Sequence, residues 1–372
     1  MNKGFLLFLF AAILLAGCKK DPDPEPTQPD SASYDQQSLL NNWGDEIIVP
    51  GYFAYTQATS DQKSFADAFI SDPTESSLQA FSDKWKTSQK TWQSVSLFEF
   101  GPGSDHVIRA NTNIYPCDTT QIEKNIQNGN LDLSGASRLD EKGYAAIDYL
   151  LHHATAAEVV QEFKADSKRG DYLKALVAEV DQLAQTVYQE WNSGSGNHVA
   201  EFKSATGSNV GSSLGIMINS VNMHLERFLR DGKVGIPNGE RSFSGDPLPG
   251  HVEAAYKGDV SKEFIRANLK GLENIYLGTK QDGSNGMGLD DALNSLGAKH
   301  GDQALDAAIK SQIASCYSAI DAVPGTMKEA VVQDSDKVSE LFKEFQKLVI
   351  LLKADMPSSL GVLITYQDND GD

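Results

Sequence analysis

Two ionisable side chains that could hold a metal ion, Asp148 and His152, lie one helical turn apart in the sequence. The run from Lys142 to His153 is rich in Ala and Leu, so we expect a helix that places both side chains on one face. A carboxylate oxygen and an imidazole nitrogen are suitable ligands for zinc or iron. The spacing therefore predicts a metal-binding pair, although an Asp–His pair that only stabilises the helix has the same spacing.

A second candidate is Glu99, which lies between Phe98 and Phe100 at the end of an aromatic stripe. A carboxylate flanked by aromatic rings is poorly solvated, which disfavours its charged form unless a partner compensates. Glu99 could therefore line a pocket as a ligand or a base. A carboxylate that accepts hydrogen bonds from a neighbouring helix end has the same sequence context, so both roles stay open.

A third candidate group follows Pro249-Gly250 and consists of His251 and Glu253. The Pro-Gly pair predicts a turn or a helix start, where a glutamate is electrostatically favoured. The sequence contains no signature of a Ser-His-Asp enzyme, no phosphate-binding glycine loop and no His-Glu-x-x-His helix. Enzymes of those types are disfavoured.

The N-terminus has the pattern of a bacterial lipoprotein signal. Lys3 precedes the apolar run from Phe5 to Leu15, which is too short for a permanent membrane span, and Leu15-Ala16-Gly17-Cys18 is typical of a lipoprotein processing site. We predict a signal peptide at 1–17, lipidation of Cys18, and an extended tether rich in Pro and Asp at 18–33. We therefore expect the protein in the outer membrane of a Gram-negative bacterium, on the periplasmic face or the cell surface.

The charge of the chain limits its partners. With 32 basic and 51 acidic residues the formal net charge is −19, so the protein is repelled by nucleic acids and by anionic lipid headgroups. We expect no nucleic-acid partner. Membrane attachment is expected through the lipid anchor.

Apolar residues recur at helical spacing through most of the sequence after the tether, which predicts an all-α protein. Asp72-Pro73-Thr74-Glu75 predicts a helix start with Asp72 as the N-cap. A Ser, Gly and Asn run at 192–197 breaks the pattern, and we place a domain boundary there. The predicted architecture is two packed helical bundles, at 34–192 and 193–372.

Several motifs resemble those of the imelysin family, bacterial envelope proteins that are grouped with metallopeptidases on a Gly-x-His-x-x-Glu signature. Aligned by Gly143 and by Tyr149-Leu150-Leu151, this chain has Ala145 at the signature His and Asp148 at the signature Glu. Other runs that resemble the family, in the same order, are Trp92 to Pro102, Ile114-Tyr115-Pro116, Pro249 to Ala254 and Leu360 to Asp372.

The resemblance implies an internal duplication and a ligand site between the two bundles, where His251 or Glu253 approaches Asp148. The predicted ligand-binding residues are Gly143, Tyr144, Asp148, His152, Glu99, His251 and Glu253, with Asp148 and His152 as candidate metal ligands. Iron and zinc are the candidate metal ions.

The resemblance also suggests a function. We expect a lipoprotein that binds a small ligand or metal in iron or haem acquisition and that lacks protease activity, because Ala145 removes a ligand and Asp148 withdraws another. The alternatives are a zinc metallopeptidase of the imelysin type and an adaptor that binds another envelope protein.

Overall fold

Helices form nearly all the regular structure in the computed structural model, which describes residues 33–192, 194 and 196–366. The all-α prediction is confirmed. The predicted signal peptide, Cys18 and all of the tether except residue 33 lie outside the described residues. Within the part of the chain that is described, no helix is both long and apolar enough to cross a membrane.

The N-terminal half contains nine of these α-helices, with a π-helical segment (Asn42–Ile48) after the first and a 3-10 helix (Ala136–Glu141) before the seventh. The helices are α1 (Gln36–Asn41), α2 (Val49–Ser71), α3 (Glu75–Val95), α4 (Pro102–Asp105), α5 (Ile108–Thr112), α6 (Thr119–Asn128), α7 (Gly143–His152), α8 (Ala156–Ala165) and α9 (Ser167–Trp191).

The C-terminal half is also helical, with π-helical segments at His224–Gly235 and Leu351–Asp355 and a 3-10 helix at Pro249–His251. Its α-helices are α10 (His198–Ser204), α11 (Ser213–Met223), α12 (Ser261–Leu277), α13 (Leu289–Ser295), α14 (Leu305–Ala322), α15 (Met327–Gln333), α16 (Ser335–Ile350) and α17 (Met356–Leu360). Two short strands that the sequence pattern did not predict, β1 (Lys299–His300) and β2 (Gln303–Ala304), pair in antiparallel.

The start of α3 differs from the sequence prediction in its capping residue. Asp72 is the C-cap of α2, because that helix continues to Ser71, and its N–H donates to Ala68 O. Thr74 caps α3 instead: its hydroxyl accepts from Ser77 N at 3.1 Å, and Ser77 Oγ accepts from Thr74 N at 3.0 Å. This reciprocal pair satisfies two N–H groups that the helix leaves without partners.

The predicted apolar stripes form the core. Helices α2, α3 and α9 pack together in the N-terminal half, and α14 packs against α16 in the C-terminal half. Helix α12 packs against α3 and so joins the halves, which places the segments before and after α12 beside the N-terminal bundle. Trp43, in the π-helical segment Asn42–Ile48, also contacts α12: its Nε1 donates to Ile275 O at 3.1 Å.

The predicted boundary at 192–197 lies between α9 and α10. The described residues from 33 to 366 form one compact unit, and α10 packs back onto α1, α9 and the π-helical segment Asn42–Ile48. The division into two domains and the internal duplication stay predictions.

Candidate functional site

Helix α7 has the bounds that its sequence indicates, with Gly143 as first residue and His152 as last. Gly143 has φ +72°, and a Cβ at this position would lie 2.3 Å from the carbonyl oxygen of Thr112. Only glycine fits this close approach between α7 and α5 without strain. The absence of a side chain at Gly143 therefore allows the start of α7 to lie against the end of α5.

Tyr144 is buried in the core rather than exposed to a cavity. Its hydroxyl lies 2.7 Å from Ser88 Oγ and donates to Tyr55 Oη at 3.0 Å. The predicted ligand-binding residues Gly143 and Tyr144 thus have packing roles in the structure.

Asp148 and His152 form the hydrogen-bonded pair that their spacing predicts. His152 Nδ1 lies 2.9 Å from Asp148 Oδ1, and the side chain of Asp148 is 2% exposed. The carboxylate also accepts from the main-chain amides of Tyr256 and Lys257, each at 3.0 Å. On the other side of the ring, His152 Nε2 lies 2.7 Å from Ser82 Oγ.

These residues do not fit a three-ligand zinc centre. Both nitrogens of His152 and both oxygens of Asp148 already have protein partners, and Ala145 supplies no side-chain donor. Among the residues that the structure describes, no group of three or more His, Cys, Asp or Glu is placed to hold a metal ion.

Glu253 lies apart from Asp148 in a separate polar cluster. Its Oε2 accepts from the ammonium of Lys233, and its Oε1 accepts from Asn113 Nδ2 at 2.8 Å and Gln93 Nε2 at 3.0 Å. Burial alone would raise the pKa of Glu253, but Lys233 and these hydrogen bonds outweigh it and hold the pKa below its usual value. The cluster ties α3 to the loop before α12.

Glu99 is paired with a residue that the sequence pattern did not single out, Arg109. Arg109 Nε donates to Glu99 Oε2 at 2.6 Å, and its terminal nitrogen donates to Ser96 O and, at 2.8 Å, to His224 Nδ1. The guanidinium also stacks 3.7 Å from the centre of the Phe228 ring. These contacts fix Arg109 between the two halves of the chain.

A cavity of about 220 Å³ opens beside Arg109, between residues 109–115 of the N-terminal half and residues 227–251 of the C-terminal half. We call it the basic pocket. It is lined by Arg109, Asn113, Ile114, Tyr115, Arg227, Phe228, Gly232, Lys233, Ile236 and His251. Two of these described residues are arginines, one is a lysine and none is acidic, in a chain whose net charge is −19.

Two polar groups in the wall of the basic pocket are available to a ligand. The structure gives neither the hydroxyl of Tyr115 nor the ring of His251 a hydrogen-bond partner among the described residues. Burial, and then the charge of Glu253, raises the pKa of Tyr115 well above its usual value, so the phenol stays a donor at neutral pH. The wall therefore offers donors to an acceptor-rich ligand.

His152 and Ser82 line a second cavity, of about 230 Å³, which we call the His152 pocket, and Asp148 lies behind His152 without lining it. Its lining residues are Glu75, Leu78, Gln79, Ser82, Leu151, His152, Ala154, Ala156, Tyr256 and Lys257. The sequence predicted one site that combines His251 with Asp148 and His152. In the structure His251 lines the basic pocket, whereas His152 lines the His152 pocket. The chain from His251 to Lys257 connects them.

The sequence matches a family model described as imelysin over residues 48–354. The chain belongs to the imelysin family. Among curated proteins, none matches the sequence.

Two solved structures are similar to this imelysin-family chain. One, from Parabacteroides distasonis ATCC 8503, is provisionally named an iron-regulated protein A precursor; it is 17% identical, with a TM-score of 0.69 over 90% of this chain and 97% of that chain. The other, an imelysin-like protein from Psychrobacter arcticum 273-4, is 14% identical, with a TM-score of 0.67 over 89% and 97%. At these identities the likeness shows the fold alone.

Sequence reasoning did not select Ser82, Arg109 or Lys233 as site residues. Each acquires its role from a partner on another segment: Ser82 meets His152 across 70 residues, Arg109 meets His224 across 115, and Lys233 meets Glu253 across 20. Tyr115 had a signal, because it belongs to the Ile-Tyr-Pro run that resembles the family.

Proposed function

We propose that this imelysin-family chain is an envelope binding protein that holds a small anionic iron chelate in the basic pocket and does not hydrolyse peptides. The observation that carries the proposal is the lining of that pocket, which among the described residues has three basic side chains and no acidic one. A carboxylate-rich chelate would accept hydrogen bonds from Tyr115 and from the arginine and lysine side chains.

The arrangement of charges supports an anionic ligand over a cation. Glu99 forms an ion pair with Arg109, and Glu253 forms one with Lys233. Neither carboxylate is among the residues that line the cavity. A ligand in the pocket therefore meets the donors of these groups and not their counter-ions. The acidic surface of the chain would repel an anion elsewhere, so binding is expected to be confined to the pocket.

The size of the cavity supports a small ligand. At about 220 Å³ it falls below the range of roughly 300–1,000 Å³ that is typical of sites for drug-sized molecules. Iron(III) citrate is the probe that we select. The link to iron comes from the name of the Parabacteroides structure, which is called iron-regulated.

Calorimetric titration with iron(III) citrate and with citrate alone tests the proposal. Tyr115→Phe removes one donor and keeps the ring, so we expect affinity to fall about 2- to 12-fold. Arg227→Gln removes a charge, and a loss of about 10-fold or more is expected. The control is Arg266→Gln, an exposed arginine on α12 that pairs with Asp321 outside the pocket, which should leave affinity unchanged.

Two results would contradict the proposal. One is a parent protein that binds neither probe at millimolar concentration. The other is chelator-sensitive cleavage of a peptide substrate by purified protein that retains stoichiometric zinc, which would favour the metallopeptidase alternative instead.

We also propose that Cys18 carries a lipid that attaches the protein to the outer membrane. The Leu-Ala-Gly-Cys run and the tether behind it support this assignment. An adaptor role toward another envelope protein has no specific support among the contacts described above.

A further inference from the structure

The His152 pocket contains an arrangement of side chains that the proposed binding function does not use. Ser82 Oγ lies 2.7 Å from His152 Nε2, and His152 Nδ1 lies 2.9 Å from Asp148 Oδ1. Serine, histidine and aspartate in this order and at these distances are the constellation of a serine nucleophile with its base and its orienting carboxylate. We propose that Ser82 is a nucleophile toward small acyl esters, activated by His152 and positioned through Asp148.

The hydrogen bonds around Asp148 determine which atoms carry protons. Two main-chain N–H groups, of Tyr256 and Lys257, donate to its carboxylate, so Asp148 acts as an acceptor throughout. His152 must then donate from Nδ1, which in the neutral ring leaves Nε2 as an acceptor. Ser82 therefore donates its hydroxyl proton to Nε2, as a nucleophile does before attack.

The three residues come from rigid elements. Ser82 lies in the middle of α3, and Asp148 and His152 lie one turn apart on α7, which packs against α3. The ring of His152 also packs against Trp85, with centroids 5.1 Å apart. The Trp85 ring and the hydrogen bonds to Ser82 and Asp148 fix the orientation of the imidazole, and the main-chain amides of Tyr256 and Lys257 hold Asp148 in turn.

The pocket also offers two positive features for the charge that forms during acyl transfer. Lys257 lines it, and its ammonium has no ion-pair or hydrogen-bond partner among the described residues. Ala156 lines it as well and is the first residue of α8, where the leading N–H groups have no partner within the helix and the dipole is positive. Positive charge and N–H groups without an intrahelical partner are the features that stabilise an oxyanion, and both belong to the lining of this pocket.

The proposed reaction has two steps, formation of an acyl-serine and its hydrolysis. Ser82 Oγ bonds to the carbonyl carbon of an ester while its proton passes to His152 Nε2, and the carbonyl electrons move to the oxygen. The oxyanion then re-forms the carbonyl, the bond to the alkoxide breaks, and His152 gives its proton to the departing alcohol. Water, deprotonated by the same imidazole, cleaves the acyl-serine, and the proton returns to Ser82.

The size and lining of the pocket limit the substrate. A cavity of about 230 Å³ with the apolar side chains of Leu78 and Leu151 accepts a short acyl chain. A folded protein or a long peptide does not fit it. This site uses residues other than those of the basic pocket, so either proposal stands or fails without the other.

The test is covalent labelling of the full protein with diisopropyl fluorophosphate, mapped by mass spectrometry of its peptides. We expect stoichiometric modification of Ser82, with loss of 4-nitrophenyl acetate hydrolysis in proportion, and neither in Ser82→Ala. The matched control is Ser94→Ala, because Ser94 is an exposed serine of the same helix with no histidine partner in the structure, and this variant should react as the parent does.

His152→Ala separates the role of a base from a structural role. It should slow labelling of Ser82 by about 100-fold or more, and added imidazole should restore part of the rate, because the vacated space can hold the free base. Asp148→Asn should abolish the ¹⁵N signature of an Nδ1–H tautomer at His152. Absence of a label on the parent, labels scattered over many serines, or labelling of Ser82 that His152→Ala leaves unchanged would each overturn the proposal.

Discussion

Acid should destabilise this protein through His224, a buried histidine at the centre of the molecule. His224 is 1% exposed; its Nδ1 accepts from Arg109, and its Nε2 donates to Asn268 Oδ1 at 2.8 Å. Burial first, and then the positive charge of Arg109, holds the pKa of His224 well below its usual value of 6.5. The folded protein therefore keeps this ring neutral in a pH range where the unfolded chain protonates it.

The sign and size of the effect follow from this difference. Below pH 6.5 the unfolded state binds a proton that the folded state does not, so the free energy of unfolding falls as pH falls. The loss approaches about 1.4 kcal/mol for each pH unit below 6.5. Between pH 7 and pH 5 it amounts to about 2 kcal/mol from this one residue.

Urea denaturation at a series of pH values, followed by circular dichroism, measures the effect. His224→Asn keeps an acceptor for Arg109 and cannot be protonated, so it lowers stability at pH 7 but should remove about 2 kcal/mol of the difference between pH 7 and pH 5. His300→Asn, at an exposed histidine that contacts Asp355, is the control and should keep the parental slope. If the parent and His224→Asn lose the same free energy within about 0.5 kcal/mol, the reasoning is wrong.

Three further predictions concern the core, the signature helix and the anchor. Glu253→Ala leaves the ammonium of Lys233 buried without its counter-ion and should lower the free energy of unfolding by about 3–5 kcal/mol in urea denaturation, whereas the double variant with Lys233→Met should lose much less. Gly143→Ala forces a Cβ toward Thr112 O at φ +72° and should reduce the melting temperature, with a loss of at least about 2 kcal/mol; an unchanged melting temperature would contradict the geometry. Cys18→Ser should move the protein from the membrane fraction to the soluble fraction, and continued membrane attachment would contradict lipidation.

Local sequence was sufficient for the helices and their buried faces. Helix α7 begins and ends where its Gly and His residues indicate, and the stripe of Leu78, Phe81, Trp85 and Trp92 on α3 is buried. These features depend on helical periodicity within one segment, which the sequence displays directly. The prediction of Asp72 as the N-cap of α3 was wrong, because Asp72 and Thr74 are both good capping residues. The length of α2, which continues to Ser71, decides between them.

The sites depend on contacts between segments that no local pattern records. Asp148 and His152 were selected by their spacing, but Ser82, the third member of that cluster, lies on another helix with ordinary neighbours in the sequence. The basic pocket likewise needs α5 and the π-helical segment His224–Gly235 to meet. Glu99 could be identified as poorly solvated, yet its partner Arg109 becomes evident only when the chain is folded.

Binding of an iron chelate in the basic pocket is tested most directly by an X-ray structure of the protein crystallised with iron(III) citrate, with data recorded at the iron absorption edge. We predict an anomalous iron peak in the basic pocket, with the citrate oxygens facing Tyr115, Arg227 and His251. An iron peak held directly by Asp148 and His152, or a peak only at the acidic surface with an empty basic pocket, would contradict it.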